Sequence, residues 1–288
     1  MAFTQNLTPI DPIDYLVIGH ITKDISPSGY LLGGTASYAA LTARALGLRV
    51  GIITSVSPEL DLSPLSGIAI INRESEFTTT FENIETTHGR IQYIHQIAAE
   101  IDTTLIPQTW LNTPIVHFGP VANEIDPKMI KSFPNSFIGL TPQGWMRSWD
   151  KEKKIHSGEW PEERYALNQA DAAVLSIEDV NHDENKIEEM LSAIRVFVIT
   201  EAKFGSRIYW NGDVRQINAP QVDELEPTGA GDIFATAFFF RLKYTKDPWE
   251  SARFANQLAS ASVTRKYFDS IPTQDEIQDS FIEILPKW

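Results

Sequence analysis

Short apolar runs alternate with small-residue and amphipathic stretches along most of the chain, and the predicted elements follow from that alternation. Tyr15-Leu16-Val17-Ile18, closed by Gly19, predicts a buried strand over 14–20. The stretch 33–47 is entered through Gly33-Gly34, carries alanine and leucine at helical spacing and stops at Gly47, so it predicts a helix. An apolar run at 48–56 predicts the next strand. That β–α–β order points to a parallel sheet with a right-handed crossover. Residues 68–97 change character, and β-branched and aromatic positions around Gly89 predict short antiparallel strands.

The α/β alternation then resumes. Strands are predicted at 114–119, 136–142, 171–176 and 195–200, and an acidic helix after 171–176 runs to about Ile194. A helix is expected after 114–119, with Asp126 as N-cap and Pro127 in its first position. Residues 206–218 read as a hairpin turning on Asn211-Gly212 in type I′ geometry. Helices are predicted from Ala230 to Lys243, from Pro248 to about Lys266 behind the cap Asp247, and from Thr273, where Glu276 completes a capping box. No repeat, low-complexity segment or linker interrupts the pattern.

Composition narrows the function classes. At 288 residues the chain suffices for one large α/β domain or two small ones. A formal net charge of −14 repels nucleic acid and acidic membranes, so a small-molecule role is expected, with no nucleic-acid and no membrane partner. A phosphate ligand would then be held by backbone N–H groups, a metal, or a few local bases. The absence of cysteine removes disulfides, thiolate ligands and cysteine nucleophiles. The first fourteen residues lack a basic n-region and an apolar h-region, and no apolar run approaches membrane-spanning length, so a cytoplasmic location is expected. The six histidines, His20, His88, His95, His117, His156 and His182, lack zinc-ligand spacing and read as structural.

The candidate chemistry lies in "EPTGAGDIFATAFFFRL", residues 226–242. Pro227 holds Glu226 extended. Gly229 and Gly231 permit backbone angles and close approaches that a Cβ would block. The first N–H groups of the helix that follows have no internal acceptor and carry the positive end of its dipole. Two readings stand on these residues alone. The stretch is a glycine turn with Asp232 as a simple helix cap, or it is an anion site with Asp232 placed to deprotonate a hydroxyl attacking a phosphoryl group.

"PTGAGDIFATAF" resembles the C-terminal signature of the ribokinase-like (PfkB) carbohydrate kinases, usually D-T-T-G-A-G-D-x-F, and "GGTASYAALTARALGLRVGIITSV" resembles their N-terminal Gly-Gly signature. The resemblance spans nearly the whole chain. It implies α/β architecture: a single ribokinase-like domain over 1–288, a three-layer α/β/α sandwich with a mostly parallel central sheet and a small β lid. It implies transfer of the ATP γ-phosphoryl group to a hydroxyl of a small-molecule polyol, a sugar or cyclitol, with Mg²⁺. Asp232 matches the catalytic base, and Gly229, Ala230 and Gly231 the anion hole. Asp24, Gly33, Gly34 and Tyr38 fall on the substrate side. Thr200, Gly205, Ser206, Thr228 and Asn256 fall on the nucleotide side, and Arg147 beside the phosphates. Because 19–33 is short, the lid is expected mainly from about 75–100, and the assembly is a monomer or homodimer.

Three departures from the family pattern bear on substrate and metal. Glu226 replaces an aspartate that helps form a monovalent-cation site where one exists, so potassium is expected to have little effect. Ser176 and Asp179 stand where the family's Asn and Glu support magnesium, with Glu178 as a rival ligand. Tyr38 replaces a sugar-binding Asn, as in inositol-kinase-like members. A nucleoside kinase remains the second reading, since an aromatic can stack on a base. A non-catalytic nucleotide- or sugar-binding relative remains the third, opposed by Asp232 and the intact glycine turn.

Overall fold

The computed structural model describes residues 10–26, 29–86 and 89–281. Its strands are β1 (Tyr15–Ile18), β2 (Thr22–Ser26), β3 (Gly29–Gly33), β4 (Val50–Val56), β5 (Ala69–Glu74), β6 (Thr80–Thr86), β7 (Gly89–Gln96), β8 (Ile115–Phe118), β9 (Phe137–Leu140), β10 (Arg147–Trp149), β11 (Ile155–Ser157), β12 (Ala172–Ser176), β13 (Val196–Thr200), β14 (Ser206–Trp210) and β15 (Asp213–Ile217). Its helices are α1 (Thr35–Ala45), α2 (Glu163–Gln169), α3 (Glu184–Leu191), α4 (Ala230–Thr245), α5 (Pro248–Ser262) and α6 (Gln274–Ser280).

Among the described residues the large sheet runs β15-β14-β13-β12-β9-β8-β1-β4-β5. It is parallel from β13 to β5 and antiparallel at the β13-β14-β15 edge. The period of two along β1 divides the core. Tyr15 and Val17 face the cluster that holds α1, α4 and α5, while Leu16 and Ile18 face the cluster that holds α2 and α3. Helices therefore cover both faces, which is the expected three-layer α/β/α sandwich. Helix α4 is buried on nearly every side, and Gly139 of β9 admits it, since a Cβ there would lie 2.5 Å from the Phe239 ring.

Several elements differ from the sequence expectation. The four-stranded sheet β3-β2-β6-β7 draws half its strands from 22–33 rather than mainly from 75–100. The short 19–33 segment can contribute because Gly29 turns the chain at φ 123°, so that β2 and β3 pair back on themselves. The helix expected behind Asp126 is a six-residue 3-10 turn, Pro127–Ser132, with Asp126 capping it; Pro134 follows and disfavours helical geometry at Phe133. Helix α5 stops at Ser262 rather than near Lys266. The Val263 carbonyl instead accepts the N–H groups of Leu225 and Glu226, which ties the segment entering α4 to the end of α5. The β10–β11 hairpin is not legible from its two short, partly polar strands. Asn211 and Gly212 do take positive φ in the β14–β15 turn, and the Thr273–Glu276 capping box forms.

Candidate active site

The two glycines before α4 serve different ends. Gly229 is the N-cap at φ 83°, and a Cβ on it would lie 2.3 Å from the Tyr38 ring of α1. The backbone conformation and the neighbour both demand glycine. A Cβ on Gly231 would meet nothing within 4 Å. The fold does not require glycine there, and the omitted side chain leaves open space over the helix end. The N–H groups of Gly231 and Asp232 make no hydrogen bond among the described residues. They open onto that space, with the α4 dipole behind them.

Two cavities meet at this point. The smaller, about 380 Å³, lies between the large sheet and the β3-β2-β6-β7 sheet and is lined by Asp24, Gly34, Tyr38, Phe81, Arg147, Asp179 and Asp232 among others. The larger, about 780 Å³, lies between the β13–β15 edge and α5. Ser176, Glu178, Thr200, Pro227 and Gly231 line both.

In the smaller cavity, burial pushes the Asp232 carboxyl up to about 6, opposed by a hydrogen bond from Thr35 and by the Arg147 charge, and reinforced by Asp179 and Asp24. Asp24 stands on β2 with its carboxylate over Gly33, where a Cβ would come 2.3 Å from Oδ2. Gly34, at φ 84°, brings the chain within reach of the His20 carbonyl. Arg147 donates to the Val121 carbonyl at 2.9 Å and to Gln143 Oε1 at 2.8 Å, and its guanidinium lies 5.3 Å from the Phe81 ring centroid. Gln143 then donates to Asp179 Oδ1 at 2.7 Å, while Asp179 Oδ2 accepts the Ser176 N–H at 2.9 Å. Burial raises the Asp179 pKa against those bonds. Tyr38 is buried, edge-on to Phe268 at 5.1 Å, and burial beside Asp24 and Asp232 raises its phenol further.

On the larger cavity, Thr200 donates to the Leu175 carbonyl at 3.3 Å. Gly205 is fixed by φ 92° and by the Ile217 carbonyl, 2.1 Å from where its Cβ would be. Asn256 lines the cavity, but its amide already donates to Ser206 Oγ and to the Ile217 carbonyl, fastening α5 to β14 and β15. Ser206 is buried in that contact. Thr228, expected on this side, lines the smaller cavity instead and donates to Glu226 Oε1 at 2.5 Å. Ala230 borders the larger cavity only.

For magnesium, Asp179 has both oxygens hydrogen-bonded and lines the smaller cavity alone, whereas Glu178 is exposed where the cavities join. No group of three His, Cys, Asp or Glu among the described residues is placed to hold a metal. One carboxylate with Ser176 nonetheless fits a cation that keeps its waters and shares donor phosphates. His20 is buried between Ala99 and Thr79, His95 pairs with Glu82 and His156 with Asp150. His182 borders the larger cavity, and His88 lies outside the described residues. Sequence reasoning missed Thr35, Phe81, Asn83, Gln92 and Gln143. Thr35 directly follows the Gly-Gly pair, which was the available signal. Asn83 and Gln92, bonded to each other at 2.8 Å, come together only through the β6–β7 pairing. Among the described residues no helix is long and apolar enough to cross a membrane.

Comparison with known proteins agrees with this architecture. The pfkB family carbohydrate kinase model matches residues 165–274. A cytidine kinase of Thermococcus kodakarensis is 25% identical over 78% of this chain and 87% of its own. A ribokinase of Bacillus subtilis is 26% identical over 86% of each. A pyrophosphate-dependent kinase of the ribokinase family, solved with a pyrophosphate analogue and myo-inositol, superposes with a TM-score of 0.76 at 20% identity, over 93% of this chain and all of that one. The glycine turn, the two cavities that share it and these likenesses point the same way: the chain is similar to the ribokinase-like (PfkB) kinases, phosphotransferases that act on carbohydrates or nucleosides.

Proposed function

We propose that the protein transfers the γ-phosphoryl group of ATP to a hydroxyl of a small neutral polyol, a sugar or cyclitol. Asp232 serves as the general base, and the 229–231 backbone holds the transferring group. One observation carries this reading: the open space above Gly231 is where a carboxylate with a pKa near 6, a pair of free backbone N–H groups and two separate cavities meet. The smaller cavity takes the acceptor. It holds Asp24, Glu178, Asp179 and Asp232 against Arg147, the one cation among its described lining residues, which disfavours an acceptor that is itself phosphorylated. The larger cavity takes the donor. Its volume of about 780 Å³ accommodates a nucleotide and exceeds what pyrophosphate needs. The β3-β2-β6-β7 sheet acts as a lid, since Phe81, Asn83 and Gln92 close the acceptor cavity from that side.

The likeness to a cytidine kinase favours a nucleoside as the second reading. Tyr38 does not serve it as a stacking platform, because its ring is already covered by Phe268 and Gly229. A phosphorylation screen of myo-inositol, ribose and cytidine, with ATP or pyrophosphate as donor, tests both assignments. Turnover of cytidine alone, or of pyrophosphate in place of ATP, would overturn the corresponding half.

Magnesium bound with the nucleotide would offset charge on its phosphate oxygens. Glu178 and Ser176 would hold it on the protein side. Glu178→Ala is therefore expected to raise the Mg²⁺ concentration for half-maximal rate about tenfold. Asp179→Ala is expected to lower kcat instead, through loss of the Gln143–Arg147 arrangement. A rate-against-Mg²⁺ titration of both variants, repeated with added potassium, decides; potassium should leave the curves in place. A shift with Asp179→Ala alone would move the role to Asp179.

A further inference from the structure

Beneath the acceptor cavity lies a buried polar chain that the chemistry above does not use. His117 of β8 is fully buried and sits edge-on to Phe239 of α4 at 5.0 Å. Its Nδ1 meets the Tyr15 hydroxyl at 3.1 Å, and its Nε2 meets Thr141 Oγ1 at 2.8 Å. Thr141, just past β9, lines the smaller cavity and not the larger. Gly119 brings it close to the reacting centre, since a Cβ there would lie 2.4 Å from Thr35 Cγ2 and 3.3 Å from Thr141 Oγ1. Thr35 in turn stands beside Asp232, whose pKa it lowers.

The direction of each hydrogen bond follows from which groups carry protons. Burial holds the imidazole neutral, its pKa pushed down to about 3, so the ring has one N–H. Burial also raises the Tyr15 phenol, which keeps its proton. Its other polar neighbour, the Thr236 hydroxyl, lies close enough to act on the phenol but takes part in no hydrogen bond among the described residues. Tyr15 therefore donates to Nδ1, the ring proton lies on Nε2, and Nε2–H donates to Thr141 Oγ1. The Thr141 hydroxyl proton then has no acceptor among the described residues and is left for the cavity that Thr141 lines. With the opposite tautomer, Thr141 would spend its proton on Nε2 and offer the cavity only lone pairs.

We propose that Thr141 is an acceptor-contacting specificity residue, and that Tyr15 and His117 are positioning residues that fix its hydroxyl as a hydrogen-bond donor to an oxygen of the phosphoryl acceptor. This rests on the kinase reading for the identity of the ligand, but not for the relay itself. Long-range ¹H–¹⁵N spectra of the histidine rings, with His117 assigned by its loss in His117→Gln, are expected to show its proton on Nε2 between pH 6 and 8. A proton on Nδ1 overturns the proposal. Thr141→Val is expected to raise KM about tenfold for whichever of myo-inositol, ribose or cytidine is turned over, with donor KM unchanged and Thr141→Ser restoring it. Tyr15→Phe is expected to raise KM about threefold in the wild-type background and to add nothing in Thr141→Val. An unchanged KM in Thr141→Val, or additive effects in the double variant, overturns it as well. If none of the three acceptors is phosphorylated, the acceptor assignment fails, and the histidine spectrum still decides the relay.

Discussion

Asp232→Asn is expected to keep donor binding and lose about 10²–10⁴ in kcat, because an amide cannot take the acceptor's proton. The wild-type pH profile provides a second reading of the same group. With its pKa raised to about 6, Asp232 is protonated below that pH, and kcat/KM should fall about tenfold per unit on the acid side. The linkage to stability runs the other way. A carboxyl whose folded pKa lies above its unfolded value favours the fold while protonated, and that contribution is lost as pH rises from about 4 through about 6. A shift from 3.8 to about 6 corresponds to about 3 kcal/mol of ionisation cost at pH 8. Asn carries no such cost, so the variant should melt higher than wild type at pH 8 and no higher at pH 4. A variant with near-wild-type kcat would remove Asp232 from the chemistry. A variant that melts no higher at pH 8 would show that its carboxyl is not strained by burial.

The contrast between α4 and the smaller sheet shows how much of this was legible in the sequence. The α4 signature is contiguous: cap, glycine turn, carboxylate and buried face all lie within residues 226–242. Local chemistry therefore predicted both the helix and its candidate site. The same holds for β1 and β13, whose apolar runs are buried on both faces. The smaller cavity is different. It is assembled from Asp24 on β2 and Phe81 on β6, which meet because β2 pairs in parallel with β6, and from Arg147 on β10 and Gln143 before it, far away in sequence. Each strand is short and only partly apolar, so periodicity gave no register. Asn256 shows the converse limit. Its place on the α5 face was readable, but its amide is taken up by Ser206 and the Ile217 carbonyl, contacts that exist only once β14 and β15 have folded.

Gly229→Ala and Gly231→Ala, two residues apart, are expected to fail for opposite reasons. At Gly229 the new Cβ would sit 2.3 Å from the Tyr38 ring, at a φ of 83° that alanine adopts poorly. The ring has little room to swing aside, because it is buried and packed edge-on to Phe268 at 5.1 Å. The first turn of α4 must move instead. Overpacking and backbone strain together should cost about 2–4 kcal/mol of stability. A displacement of about 1 Å at Asp232 should cost about 10²-fold in kcat/KM. Gly229→Ala combined with Tyr38→Ala relieves the clash and should recover stability, though the φ strain persists. At Gly231 the new methyl meets nothing within 4 Å and no positive φ opposes it. Alanine is the better helix former, so this variant should be at least as stable as wild type. Its rate should still fall about 10²-fold or more, because the methyl enters the space shared by both cavities and excludes the transferring group from the α4 N–H groups. Thermal melts with initial rates at saturating donor separate the two variants. If Gly231→Ala is as stable as wild type and equally active, phosphoryl transfer does not take place above α4.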